Sequence, residues 1–473
     1  MSGSESDPEA VLVLDIGKSN LKVVAVDPAG RVLATRTAAN VPRPEGPYPH
    51  ADVEAMADWL TAALVDLAHD FEVLAVVPTA YGSAAALIDG ERLVLPVMDY
   101  EAEPPVEVAR AYAEVAPPFE ECCCPINPAG LTLGRQLFWQ ERCWPREFAR
   151  ARWILPFAQY WSWRLTGTVA GEVTSLGAQT QLWRPGEGGF SSLVERRGWA
   201  SKLPPLSPAF AIAGHPTPEV GAATSLPPRA PVLVGIHDSN ANYARYLAAG
   251  LDDLTLISSG TWLIVFNPAL PLDRLRPGHD MVSNTDLFGR PVACARFMGG
   301  REYALVAGGD GLRAEAGASD LQALVDGGTF VMPSFTDSGG PCPGTGGRGR
   351  VLGAAPETPA ARAALATLYV ALMTDLCLDL LESRNRIVLD GGLVDNLRFA
   401  PLLAALRPAQ RVLVSRERDG TAVGAALLWG WSERKDPVRA DLEPVAPADL
   451  EGLGGYRQAW RTRLAEITTL PWD

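Results

Sequence analysis

Val11-Leu12-Val13-Leu14-Asp15-Ile16-Gly17-Lys18-Ser19-Asn20-Leu21-Lys22-Val23-Val24-Ala25-Val26 reads as an apolar strand, a polar turn and a second apolar strand. Each arm is too short for a helix. The turn gathers an acid, a glycine, a lysine, a hydroxyl and an amide. A phosphate site with a metal beside it needs those groups. The glycine lets backbone N–H groups approach an anion, Lys18 and Ser19 can donate to phosphate oxygens, and Asp15 can hold magnesium or its water shell. An ordinary hairpin with a polar turn has the same pattern, and on this stretch alone the two readings stand level.

Composition tilts the balance. The chain has 41 Lys+Arg, yet only Lys18, Lys22, Lys202 and Lys435 are lysine. Two of these lie in the opening stretch. An ammonium acts on phosphate as a point charge, whereas guanidinium demands planar, bidentate geometry. A formal net charge of −14 and a pI near 5.0 argue against nucleic acid or an anionic membrane as partner. A site for a polyanion such as ATP must therefore gather its own positive charge.

The 473 residues exceed what one core usually supports, so two domains of roughly 200 residues or more are expected. Residues 1–10 are polar and acidic, unlike a signal peptide, and no run approaches the roughly 18 apolar residues of a membrane span. The cysteines at 122, 123, 124, 143, 294, 342 and 377 lack zinc-like spacing. They read as reduced thiols, and a cytoplasmic location is expected.

Along the chain, Gly30–Thr35 suggests a third strand and Asp52–Ala68 a helix. Val73–Pro78 is a continuous apolar run typical of a buried parallel strand. It ends in Thr79-Ala80-Tyr81-Gly82-Ser83, beyond a strand's carboxyl end where ligands bind. Leu93–Tyr100 reads as another strand, delivering Asp99. Arg152–Gly167 reads as a tryptophan-rich helix, and Glu172–Gln181 is dense in uncharged hydrogen-bonding groups that suit sugar hydroxyls or a solvated loop equally. Pro231–Asn242 runs from a strand into a helix. There Asp238, preceded by His237, suits general-base work or an N-cap.

Leu254–Phe266 then repeats the opening pattern, with Ser258-Ser259-Gly260-Thr261-Trp262 as its turn. Two such hairpins, one per half, predict a duplicated α/β fold with the turns facing across a cleft. Pro359–Glu382 reads as a long amphipathic helix. Arg386–Asn396 reads as a strand, a glycine pair and a helix start, suited to a flat nucleotide but not the dinucleotide pattern. The tail from Asp436 carries one helix, Tyr456–Ile467.

With these pieces in order the chain resembles the FGGY carbohydrate kinases of the actin, hexokinase and Hsp70 superfamily, over roughly residues 10–430. Asp15–Asn20 is similar to the first phosphate loop, Gly235–Asp238 to the Gly-x-x-Asp segment of the catalytic base, Ser258–Trp262 to the second phosphate loop, and Asp390–Asn396 to the adenosine loop. Thr79-Ala80-Tyr81-Gly82 and Ser-Ser-Gly-Thr-Trp look most like the L-fuculose and L-rhamnulose kinases. Lys18 stands where a threonine is usual, and Asp390 replaces the first glycine of the adenosine loop.

The resemblance implies two duplicated actin-like ATPase (ribonuclease H-like) α/β domains flanking a nucleotide and sugar cleft. Residues 8–243 would form the N-terminal domain, 244–435 the C-terminal domain and 436–473 the tail. It implies Mg²⁺-dependent phosphorylation of a sugar hydroxyl by ATP, with Asp238 as general base and Asp15 orienting magnesium. Asp15, Gly17, Lys18, Ser19, Asn20, Gly260, Thr261, Gly391, Gly392 and Asn396 would hold ATP. Tyr81, Asp99, Gln179, His237 and Asp238 would hold the substrate. The expected acceptor is a ketose such as L-fuculose or L-rhamnulose, with a ribulose, xylulose, glycerol or erythritol kinase as the alternative. A non-catalytic ATP-dependent sugar sensor and a non-sugar ATPase are the rivals. The expected partner is a small sugar, with no nucleic acid and no membrane, and a homodimer as the assembly to test.

Overall fold

The computed structural model describes residues 7–468; expectations for residues 1–6 and 469–473 lie outside the described residues. Its contacts divide the chain into two units. The first comprises residues up to 251 together with 283–291 and 419–439; the second comprises 252–282, 292–418 and the residues from 440 onward.

In the first unit, strand Glu9–Ile16 pairs antiparallel with Asn20–Val26, and Asp15 stands directly opposite Lys22. Asn20–Val26 pairs antiparallel with Val32–Ala39 in turn. Helix Val53–Asp70, capped by the Asp52 carboxylate on the Ala55 N–H, carries the chain to strand Glu72–Ala80. That strand lies parallel to the first, with Thr79 beside Asp15. Ala10 to Leu14 of the opening strand are apolar without alternation because both sheet faces are covered. Leu12 and Leu14 enter one core and Val11 and Val13 the other.

Val232–Leu233 and Ile236–His237 both add to the far edge of Glu72–Ala80. Gly235 makes the step between them at φ +85°, and a Cβ there would lie 2.4 Å from the Pro78 carbonyl oxygen. Only glycine fits. Helix Asp238–Ala248 follows at once.

The second unit repeats this order. Leu254–Ser259 pairs antiparallel with Leu263–Asn267, which pairs with Pro291–Phe297. Helix Pro359–Leu380 precedes Arg386–Gly391, parallel to the unit's first strand, and Val412–Ser415 extends the sheet. In both units a three-strand antiparallel meander and a long helix precede a parallel strand beside the first. This is the duplicated actin-like α/β fold.

Four local expectations need correction. The Leu93–Tyr100 strand stops at Leu95, because Pro96 offers no N–H to a ladder, and Asp99 sits in the irregular segment beyond. Arg152–Gly167 is a strand, Trp153–Pro156, followed by a helix, Phe157–Thr166, ending at Gly167 with φ 74°. Pro359–Leu380 is not amphipathic but buried on nearly every side. It is long and apolar enough to cross a membrane, yet 94% of its 18-residue window is buried. Finally, residues 419–435 pack with the first unit rather than the second half. The physical reason is a small-residue helix, Gly420–Ala426, seated on helix Asp238–Ala248. A Cβ on Gly424 would lie 1.8 Å from the Ala241 carbonyl oxygen.

The one acid in the buried stretch of helix Pro359–Leu380, Asp375, is fully buried and neutralised by Arg407 at 2.8 Å and by Arg457 and Arg461 at 2.6 Å each. Arg457 and Arg461 belong to the tail helix Leu453–Ile467, which is thereby pinned to the second unit. All seven cysteines are free thiols, and Cys143 alone among them is exposed.

Candidate active site

The sheet register of the first unit sets the site. Asp15 is paired with Lys22 on one side and Thr79 on the other, so the three side chains share one sheet face. Lys22 Nζ lies 2.5 Å from Asp419 Oδ1, at the start of the small-residue helix. The Thr79 hydroxyl is fully buried and has no hydrogen-bond partner among the described residues. Desolvation first, and then the charge of Asp238, push the Asp15 carboxyl up to about 7; Lys22 pulls against them and Asp419 adds to them. Burial alone would lower the Lys22 ammonium, but its hydrogen bond to Asp419 and the charges of Asp419 and Asp15 outweigh that and raise it.

Asp238 is the first residue of its helix rather than the cap, which is His237. Its Oδ1 accepts from the Ser239 N–H at 2.5 Å and from the Ser239 hydroxyl at 3.2 Å. Among the described residues these contacts, and His237 Nε2 at 3.3 Å, all fall on Oδ1. A carboxylate in the first turn also gains from the helix dipole. His237 is held in turn by Asn240, whose amide nitrogen donates to the Thr285 carbonyl. Asn240 Oδ1 thus faces His237 Nδ1 at 2.6 Å, which places the proton on Nδ1.

Lys18 takes neither of the two courses a turn lysine usually has, phosphate or open solvent. Its Nζ lies 2.5 and 2.6 Å from the two Asp99 oxygens, 3.7 Å from Glu101 Oε2 and 4.9 Å over the Tyr100 ring. Tyr100 meets Tyr81 edge-on at 5.6 Å. The next residue, Gly82, leaves room for His237: a Cβ there would lie 2.6 Å from Nε2 and 3.7 Å from Ala178 Cβ. Lys18, Tyr81, Asp99, Tyr100, His237 and Asp238 thus surround one region of the first unit. Gln179, next to Ala178, occupies a left-handed turn at φ 62°. The first turn itself is closed by the Gly17 N–H on the Asn20 carbonyl at 2.9 Å and by the Asn40 amide on the Gly17 carbonyl at 2.8 Å. Ser19 and Asn20 are exposed.

In the second unit Gly260 donates to the Trp262 carbonyl at 2.8 Å, and Thr261 is exposed. Ser259 Oγ donates to the Asp390 carbonyl at 2.6 Å and accepts from the Leu393 N–H at 3.0 Å. This ties the turn to the glycine pair. Gly391, at φ 86°, would place a Cβ 2.0 Å from the Ser259 carbonyl oxygen, and both Gly391 and Gly392 are exposed. Asn396 is already engaged: its amide nitrogen donates to the Thr367 hydroxyl at 2.9 Å and its oxygen accepts from the Arg398 N–H at 3.1 Å.

Three features escaped the sequence reading. Asp419 lies 397 residues from Lys22; an acid opening a small-residue helix was the signal. Tyr100 covers Lys18. Gly300, near the start of helix Gly299–Gly311, would set a Cβ 2.3 Å from the Gly260 carbonyl oxygen, so the second turn rests against a helix N-terminus.

As for a metal, Asp15 with Asp238 nearby offers the one or two carboxylates that magnesium usually takes from protein when phosphates and water complete its shell. The raised affinity of Asp15 for a proton marks a place where a cation would relieve like-charge repulsion. The residues fit the ion.

Comparison with known proteins agrees with this geometry. The family profile described as "Carbohydrate kinase FGGY, C-terminal domain" matches residues 252–437. The crystal structure of a carbohydrate kinase from Novosphingobium aromaticivorans is 33% identical, with a TM-score of 0.86, and the match covers 98% of this chain and 99% of that one. L-fuculokinase of Salmonella typhi is 24% identical over 267 residues, 54% of this chain and 56% of that enzyme. A probable L-xylulose kinase of Pasteurella multocida is 30% identical over 144 residues, 29% of each protein. The alignments thus span little more than half the first enzyme's length and under a third of the second's.

Proposed function

The chain belongs to the FGGY carbohydrate kinases, and from that premise we propose that it transfers the γ-phosphoryl group of ATP to a hydroxyl of a small sugar. The observation that carries the proposal is Asp238. It opens a helix, and its contacts with Ser239 and His237 fall on Oδ1, so Oδ2 is the oxygen we assign to the proton. Phosphoryl transfer passes through a loose transition state, so the protein's work is positioning and charge neutralisation. Asp238 takes the proton of the attacking sugar hydroxyl. Tyr81, Asp99, His237 and Gln179 line the acceptor's side.

The groups we assign to ATP are, within the first unit, Gly17, Ser19 and Asn20 and, within the second unit taken by itself, Gly260, Thr261, Gly391 and Gly392. The exposed backbone of the glycine positions suits close approach to phosphate. Asp15 would hold magnesium, which supplies charge neutralisation to the phosphates. Asn396, whose amide is used within its own unit, contributes by fixing the loop rather than by contact.

The acceptor we favour is a deoxyketose such as L-fuculose or L-rhamnulose. The partial likeness to L-fuculokinase and the Thr79–Gly82 loop support it. The partial likeness to an L-xylulose kinase keeps a pentulose as the second reading. A coupled ADP-release screen over L-fuculose, L-rhamnulose, the ribuloses, the xyluloses, glycerol and erythritol separates them. Stoichiometric sugar phosphate would exclude a sensor or a plain ATPase. Asp238→Asn should lower kcat about 10²- to 10⁴-fold on the accepted sugar, equivalent to about 3–5 kcal/mol; near wild-type turnover would remove Asp238 from the mechanism.

A further inference from the structure

We propose that Lys18 and Asp99 form a sugar-reading ion pair that admits uncharged ketoses and polyols and rejects sugar acids. This rests on the kinase reading above and concerns the same acceptor site. Lys18 grows out of the first phosphate turn, but its ammonium is directed away from it, onto both oxygens of Asp99. The Asp99 side chain is 4% exposed and that of Lys18 20%, so removing either partner strands a costly charge. To act as a phosphate ligand, Lys18 would have to abandon a buried carboxylate.

The surroundings say what the pair reads. Tyr100 lies under Lys18 and against Tyr81, and desolvation together with the charges of Glu101, Asp238 and Asp99 drives its phenol well above the ordinary tyrosine range. The pair therefore lies in the field of the catalytic base. An incoming carboxylate meets Asp99, Glu101 and Asp238, while Lys18 is already neutralised. A hydroxyl meets complementary groups, because it can donate to Asp99 and accept from Lys18. Neighbouring hydroxyls of one carbon chain can thus be read by the two ends of one ion pair. A site built this way discriminates strongly, since a mismatched substrate leaves buried polar groups unpaired.

The test compares wild type with Lys18→Thr, Asp99→Asn and the double variant. The double variant removes both charges together and so stays folded if either single variant does not. Wild type should turn over a neutral acceptor and not D-gluconate. Each single variant should raise the sugar KM about 10- to 100-fold while the ATP KM moves less than about 3-fold. Asp99→Asn, by freeing Lys18, should gain binding of D-gluconate.

A rise in ATP KM alone in Lys18→Thr would overturn the proposal in favour of a phosphate ligand. Unchanged sugar KM in either variant, or wild-type preference for D-gluconate, would overturn it too. If wild type releases no ADP with any acceptor, the kinase reading fails on its own. Calorimetric titration of the same sugars then decides the pair: binding lost in the variants sustains it, and binding unchanged, or absent in wild type, refutes it.

Discussion

The two hairpin turns share a topology and differ in chemistry. In the first, Gly17 to Asn20 lie between paired Ile16 and Leu21; in the second, Gly260 to Trp262 lie between paired Ser259 and Leu263. Asp15 of one corresponds to Ser258 of the other in the register beside the parallel strand, where their neighbours are Thr79 and Asp390. The first turn is charged, and each lysine near it has its own acid, Asp99 for Lys18 and Asp419 for Lys22. The second is uncharged and tightly packed, with Gly300 and Gly391 leaving no room for a side chain. One fold element thus carries two kinds of packing: paired charges in the first unit, and close backbone approach in the second.

Four substitutions can break or sharpen that contrast. The largest effect on activity is expected from Gly300→Ala, because the added methyl meets backbone oxygen rather than a movable side chain. It should raise the ATP KM about 10-fold or more and lower stability by about 1–3 kcal/mol, with the sugar KM little changed. An unchanged ATP KM would end the assignment of the second turn to phosphate.

Asp15→Asn comes next, and its signature is a pH trend. The folded carboxyl titrates near 7 against 3.8 for the free group. The protonated form therefore favours the fold, fully so below about pH 4, and that benefit is lost as pH rises through 7. The Asn variant lacks this loss. Its Tm in the absence of nucleotide should exceed wild type by an amount that grows from pH 4 to pH 8, corresponding to no more than about 4 kcal/mol. Ser258→Ala, at the matching place in the second turn, should show no such slope. Smallest is Glu101→Gln: its carboxylate is 70% exposed and 3.7 Å from Lys18, so thermal melts should differ by less than about 0.5 kcal/mol.

Both hairpins, the parallel strand before Thr79 and the helix after His237 were legible because apolar runs and glycine-bearing turns are local signals. The place of Asp238 at a helix start was legible for the same reason. The Lys18–Asp99 pair was not, since the two residues lie 81 apart and Asp99 rides on an irregular segment that Pro96 releases from its strand. Helix Pro359–Leu380 misled because threonines and an acid along it imitate a polar face. The partners of the acid, Arg407, Arg457 and Arg461, are invisible to periodicity, and the Thr367 and Thr374 hydroxyls turn back onto helix carbonyls. That residues 419–435 pack with the first unit is not legible in chain order, because the contact joins elements far apart in sequence.

That packing has a consequence for how the protein is made. Ribosomal synthesis delivers the first turn early and Asp419 397 residues after Lys22. Until then Lys22 lacks its hydrogen-bonded acid and has only Asp15 opposite it, and Val11 and Val13 lack the covering provided by Ala422, Ala425 and Ala426. The first unit therefore reaches its finished form only after most of the second has been translated. A nascent chain of this protein spends most of its synthesis with an unsealed apolar face, which makes it a natural client for chaperones that shield such surfaces.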